Sequence, residues 1–205
     1  MNRKVFITII FFIILIIIFS SIFLIFNYKT LKSGNNTISI KNIENVSEYI
    51  LNINEYNAEV EVTVKSNKNE NKYNIKQRCK NNYSYQETEY ENNELMIIEH
   101  IDNKVIIKNN KLKLEKIYES CDFLLENNLF LTTFIEEYKN TNQKEIIENE
   151  NYYIIKIKLN DISNKKVAYK NLYINKNTGK IEKLEINDIN KNRTIYILYK
   201  EITIN

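Results

Sequence analysis

The 205-residue sequence has no proline, no tryptophan, two glycines, two cysteines and one histidine. Each scarcity removes a class of chemistry. Gly34 and Gly179 are the whole glycine complement. A Walker phosphate loop or a dinucleotide fingerprint needs several glycines in one short loop, so neither can be built. The lone His100 excludes paired-histidine metal sites and argues against a Ser-His-Asp triad. Cys79 and Cys121 are too few for a four-cysteine zinc site. A net charge of +3, from 29 basic and 26 acidic residues, is too balanced for a nucleic-acid binder. What is left is function through shape, location and surface.

The hydrophobic residues are unevenly spread. Val5 to Phe26 reads VFITIIFFIILIIIFSSIFLIF and carries no charge. At about 1.5 Å per residue a helix of that length spans roughly 33 Å, close to a bilayer core. A secretory signal has a shorter apolar region followed by small residues. Here the small residues, Ser20 and Ser21, sit inside the run. We read an uncleaved signal anchor, with Val5, Ile10, Leu15, Ile18, Leu24 and Phe26 in the membrane. A cleaved signal and a buried core helix are the alternatives. Arg3 and Lys4 before the run nearly balance Lys29 and Lys32 after it. The short N-terminal tail places residues 1–4 inside by default and everything after the anchor outside the cytoplasm. Residues 27–42 then form a stalk, and 43–205 a domain. Without the anchor roughly 38 % of residues are hydrophobic, enough for one modest core.

That domain reads as strands interrupted by two helical segments. Ile43, Val46, Ile50 and Ile53 recur at helical spacing. Ala58, Val60, Val62 and Val64 then alternate with Glu59, Glu61 and Thr63, as in a half-buried strand. The period of two continues through Tyr73, Ile75, Gln77 and Cys79, then Tyr83 and Tyr85, Leu95 to Ile101 and Val105 to Ile107, with Leu112 and Leu114 as a further short strand. The separators Asn81-Asn82, Asn92-Asn93, Asp102-Asn103 and Asn109-Asn110 supply hairpin turns, because asparagine tolerates left-handed backbone. From Phe123 to Tyr138 the period becomes helical, behind capping residues at Glu119-Ser120-Cys121-Asp122 and with a break expected near Asn127-Asn128. Strands resume from about 144 and end with Thr194 to Ile204. Short connections imply an antiparallel sheet. Nine to eleven strands imply that it curls, with the helices on its concave face. The expected class is α+β, strand-dominated: an unclosed half-barrel covered by two helical elements.

Three stretches carry a resemblance. NLYINKNTGKIEKLEINDINKNRTIYILYKEITIN, with a strand, K-x-T-G, strand, D-x-N, strand run, resembles the end of the LolA/LolB-like lipoprotein-sorting fold in its Gram-positive branch. SEYILNINEYNAEVEVTVKS is similar to the opening of that fold, and CDFLLENNLFLTTFIEEYKN to the GerS-type spore-germination lipoproteins of clostridia. The resemblance covers roughly 43–205. It implies a LolA-like domain without catalytic activity. It also implies a place in the spore-forming cell envelope (the forespore membrane or intermembrane space) and a protein partner: a zinc amidase of the CwlD type that modifies cortex peptidoglycan for germination. The sorting branch implies the alternative, a carrier or sensor of lipid or another hydrophobic ligand. Two departures stand out. GerS-type proteins carry a lipidated Cys after a short signal, whereas no Cys precedes Cys79 here. Many LolA-type proteins place Pro after the Thr-Gly turn, where this chain has Lys180-Ile181.

The candidate residues follow. His100 is read as a sheet-face or rim histidine without a catalytic or metal role. Cys79 and Cys121 lie outside the cytoplasm in this topology, so a disulfide is allowed, though two separate thiols fit the pattern better. Glu136-Glu137 could suggest paired-carboxylate hydrolysis, but without tryptophan platforms or deep loops they are read as a solvated charged face. Most of the fifteen tyrosines lie on strands as packing residues. Tyr83, Tyr85 and Tyr90 form a candidate partner face. No catalytic residue, metal or cofactor is expected. An exposed sheet edge would offer a further contact surface and a route to a homodimer.

Overall fold

The computed structural model describes residues 40–205 apart from 41, 66–68, 82, 91–93, 102–103, 120–124 and 161–164. The proposed anchor, most of the stalk, Cys121 and the Asn92-Asn93 and Asp102-Asn103 turns lie outside the described residues. Ile38–Asn205 forms one compact unit. No helix among the described residues is long and apolar enough to cross a membrane.

Helix α1 (Glu44–Leu51) leads into β1 (Glu55–Lys65), β2 (Glu70–Lys80), β3 (Tyr83–Tyr90), β4 (Glu94–Ile101), β5 (Lys104–Asn109) and β6 (Leu114–Tyr118). A 3-10 turn (Leu125–Leu129) and helix α2 (Leu131–Asn140) follow. The chain ends in β7 (Lys144–Glu148), β8 (Tyr152–Lys158), β9 (Tyr169–Asn175), β10 (Ile181–Asn187) and β11 (Arg193–Ile204). Among the described residues eleven strands join one sheet in the order β6-β5-β4-β3-β2-β1-β11-β10-β9-β8-β7, and every pairing is antiparallel. β6 and β7 are its two edges, so the sheet is unclosed. The fold class is the expected strand-dominated α+β.

Local sequence explains the element ends. Asn81 has φ 51° and Lys113 φ 49°, left-handed values reached at turns in a chain with little glycine. Asn109 accepts the Leu112 N–H through Oδ1 at 2.9 Å, and this bond holds residues 110–113 as a turn. The expected strand at Leu112 and Leu114 therefore shifts: Leu112 is a turn residue, 68 % exposed, and the strand runs from Leu114 to Tyr118. The helical break also moves. It falls at Phe130, whose backbone is extended (φ −78°, ψ 138°), and not at Asn127-Asn128, which stay inside the 3-10 turn. Burial of Phe130, 2 % exposed, sets that position.

Where β1 meets β11 the apolar phase slips. Ile195, Ile197 and Tyr199 are buried, and the next inward residues are Ile202 and Ile204. The ladder registers Val60 with Tyr199 but Glu59 with Glu201, so Lys200 is the extra residue of a bulge. The bulge restores the phase, so Ala58 pairs with Ile202 and Tyr56 with Ile204 on one face. A second irregularity in β10 does the same for Ile181 and Leu184.

On the inner face the helices and strands share one core. Val46 and Ile50 of α1 and Leu131, Phe134 and Ile135 of α2 pack with Val60, Ile155, Leu172, Leu184 and Ile197. One charged residue enters it. Lys170 sits on β9 in phase with Leu172 and Ile174, is fully buried, and meets Glu137 of α2 at 2.5 Å. Burial raises the Glu137 pKa and lowers that of Lys170, against the pull of each on the other. Glu137 therefore does not lie on a solvated face as expected; only Glu136 is exposed. The pair fixes α2 over β9, and removing one partner would strand a buried charge.

Glu137→Ala should lower the unfolding free energy by about 3–5 kcal/mol. Glu137→Leu combined with Lys170→Met should be neutral or stabilising. Urea unfolding followed by circular dichroism reads both, and a Glu137→Ala protein as stable as wild type would refute this role of the pair.

Candidate interaction surface

The register places alternate residues of β3 on opposite faces. Ser84, Gln86 and Thr88 face Cys79, Gln77 and Ile75 on the inner side. Tyr83 and Tyr85 therefore face outward, opposite Ile101 and Glu99 of β4. Across β5 and β6, Glu99 pairs with Ile106, and Ile106 with Ile117. The outer face thus carries a patch of Tyr83, Tyr85, Ile101, Ile106 and Ile117. Ile101 is 41 % and Ile117 61 % exposed, unusual for isoleucine on a sheet whose other face holds the core.

Charged groups hold the tyrosines in place. Tyr83 donates to Glu99 Oε1 at 3.2 Å, and Tyr85 to Glu87 Oε2 at 2.6 Å. Lys108 meets the other Glu99 oxygen at 2.6 Å. Burial, then the hydrogen bond to Glu87, push the Tyr85 phenol up to about 12. Burial and Glu99 raise Tyr83 likewise. Both phenols are therefore neutral at physiological pH, with rings fixed by carboxylates beneath. Lys76, Arg78, Glu59 and Glu201 border the two rings in a groove of about 600 Å3.

Tyr90 does not join them. The period of two puts residue 90 in phase with Gln86 and Thr88, and its ring packs edge-on against Tyr73 at 5.3 Å. The structure thus divides the three tyrosines between the two faces.

Inside the sheet a polar seam lies beneath the start of α2. Tyr56, fully buried, donates to Gln77 Oε1 at 3.3 Å and accepts the Leu131 N–H at 3.1 Å. Gln77 donates to Gln86 Oε1 and to the Leu129 carbonyl, and Gln86 to Thr88. Cys79 is a free, buried thiol donating to Ser84 at 3.2 Å. These bonds tie β1, β2 and β3 to the backbone entering α2. The glutamines, in phase with Ile75, signalled this seam in the sequence; Leu129 and Leu131 as partners did not.

His100 lies on the inner face opposite Ser84, with its ring edge-on to Phe130 at 5.5 Å. Its Nε2 is buried without a hydrogen-bond partner, and burial lowers its pKa. Among the described residues no three of His, Cys, Asp and Glu come together as a metal-holding group.

Comparison with known proteins gives structural likenesses. No family model and no curated protein matches the sequence. A chain in the complex of the CwlD amidase from Clostridioides difficile with the GerS lipoprotein is similar at TM-score 0.49 and 21 % identity, over 79 % of this chain and 93 % of that one. The LolA superfamily protein NE2245 from Nitrosomonas europaea is similar at TM-score 0.43 and 12 % identity, over 80 % and 91 %. A chain of the MucB complex with MucA(peri) is similar at TM-score 0.40 and 9 % identity, over 80 % and 54 %.

The His100 environment sets a pH expectation. Its folded pKa is depressed, so its contribution to stability is present above the unfolded value of about 6.5 and lost as pH falls through the folded pKa. Urea midpoints should fall between pH 7.5 and pH 5, and the fall should shrink in His100→Phe. An imidazole titrating above 6.5 by NMR would contradict this placement.

Proposed function

We propose that this protein is a non-catalytic, membrane-anchored binding module of the spore-forming cell envelope. In this reading its outer sheet face engages and licenses a cortex peptidoglycan amidase of the CwlD type, as the resemblance to GerS-type lipoproteins implies. The observation that carries the reading is the outer patch of Tyr83, Tyr85, Ile101, Ile106 and Ile117, with Glu99 set among them and Lys108, Glu87 and Arg78 around them. Aromatic and aliphatic side chains combined with satisfied charged groups fit a protein interface. Carboxylates already hold both tyrosine rings, so a partner meets a pre-ordered surface and little side-chain entropy is lost on binding. The neighbouring edge strand β6 adds unpaired backbone groups beside Ile117.

The reading favours contact over chemistry because the sole histidine packs against Phe130 on the inner face, away from the patch. A lipid carrier would need the inner face, and from β1 to β9 that face is taken up by Phe134, Ile50, Leu172 and Ile197. The uncharged Val5–Phe26 run supports tethering in place of the lipid anchor of GerS-type proteins.

Two measurements test this. Carbonate extraction of membranes should leave the full-length chain in the pellet, and a shortened soluble form would rule out the anchor. Pull-down from sporulating cells should recover an amidase. Tyr85→Ala and Ile117→Glu should each weaken its capture at least tenfold, about 1.4 kcal/mol or more, as expected of central interface residues. His100→Gln should leave capture intact. Undiminished capture by both patch variants would sink the assignment of this face.

A further inference from the structure

A second surface, on the other half of the sheet, has different chemistry. Elsewhere on the outer face several cations are matched to anions: Lys76 to Glu87, Lys80 to Glu55, Lys200 to Glu61, and Lys183 and Arg193 to Glu185. Over β8, β9 and β10 the matching is incomplete. There a groove of about 620 Å3 is lined by Lys158, Tyr169, Asn171, Asn187 and Lys191, with Lys156 and Glu145 at one side. Lys156 is spent on Glu145 at 3.4 Å. The Glu185 carboxylate at the floor is spent as well, accepting the Tyr173 hydroxyl at 2.8 Å and facing Arg193 at 3.6 Å. Among the described residues neither Lys158 nor Lys191 has a carboxylate within ion-pair reach, and the side chains of Asn171 and Asn187 make no hydrogen bond. Lys191 lies over the Tyr169 ring at 5.9 Å, held by a left-handed backbone (φ 66°) in the turn after β10.

This set is specific in kind. Two unmatched ammonium groups call for anionic charge. Two free carboxamides, each both donor and acceptor, suit vicinal hydroxyl and acetamido groups. A tyrosine ring offers a flat face to a sugar ring. No large aliphatic side chain is exposed in the groove, so an apolar peptide or an acyl chain gains little there. The volume is that of a small-ligand site. We propose that this groove binds an acidic glycan, a hydroxyl- and acetamido-bearing saccharide that carries carboxylates. Lys158 and Lys191 take the carboxylates, and Asn171, Asn187 and Tyr169 take the ring. The site is independent of the Tyr83–Tyr85 face, so the protein would hold a glycan and a protein partner at once.

The test uses the full chain in a nonionic detergent and calorimetric titration with a hyaluronan tetrasaccharide as the acidic-glycan probe. Chitotetraose serves as the neutral glycan, and poly-L-glutamate as the acidic peptide. The hyaluronan fragment should bind at least tenfold more tightly than either. Lys158→Glu with Lys191→Glu should lose at least tenfold, and so should Asn187→Ala with Tyr169→Ala, which leaves the charge unchanged. Lys72→Glu, on β2, should bind as wild type does. Absent hyaluronan binding, equal or tighter binding of poly-L-glutamate, or unchanged binding by both groove variants would overturn the proposal. Amidase capture is read separately, so either surface can fail without the other.

Discussion

The whole architecture depends on the pairing of β1 with β11. Each half of the sheet is a meander of neighbouring hairpins, and only this ladder joins them. It couples strands from opposite ends of the domain, Val62 against Ile197, so it must be closed against a large loop entropy before its contacts reward it. The Lys200 bulge makes the closure productive. Without it, Ile202 and Ile204 would point outward, and the start of β1 would lose its cross-strand apolar partners. A sheet joined in this way offers one continuous inner face, and that face gives α2 something to lie across.

Helix α2 draws on both halves. At its start Phe130 meets His100 of β4 and the Leu131 N–H bonds Tyr56 of β1. Along its length Glu137 meets Lys170 of β9, and near its end Lys144 of β7 donates to the Tyr138 carbonyl at 2.8 Å. The contacts run from apolar and neutral at one end to ionic and buried at the other. Apolar packing alone would tolerate a slide of the helix along the sheet. A buried ion pair and directed hydrogen bonds define one position. The inner face thus serves folding, and its polar residues set the docking position of α2.

Much of this was legible in the chain. Unbroken alternation from Ala58 to Ile107 and from Tyr153 to Ile204 marks strands with one buried face, and the switch at Phe123 to Tyr138 marks the helical cover. The misreadings have local causes. Leu112 is apolar, but the Asn109 side chain and the left-handed Lys113 make its segment a turn, and alternation cannot show such bonds. Glu137 looks solvated in the sequence because its partner is far off along the chain, although Lys170, in phase with Leu172 and Ile174, signals a buried lysine seeking an acid. Nearness along the chain groups Tyr83, Tyr85 and Tyr90. Residue parity alone separates Tyr90 from the other two. The Lys158–Lys191 groove is not legible in the sequence, because it forms from side chains of three strands and a turn that become neighbours only through the sheet register.

The two edges of the sheet are finished differently, and the difference bears on function. β7 carries Lys144, Glu145 and Glu148, with Lys144 and Glu148 tied to Tyr138 and Lys176. That charge guards it against another strand. β6 mixes Glu115 and Lys116 with Leu114, 38 % exposed, and Ile117, 61 % exposed, and Leu112 beside it is more exposed still. Ile117 contributes nothing to the inner core, and its exposure on an open edge is an aggregation hazard. The hazard adjoins the carboxylate-anchored tyrosines, whose order also serves no packing need. Two costly features meeting on one outer surface are accounted for together if that surface is covered by another protein. The guarded edge then lies beside the unmatched lysines of the opposite groove, where a hydrated, charged ligand has no need of backbone pairing.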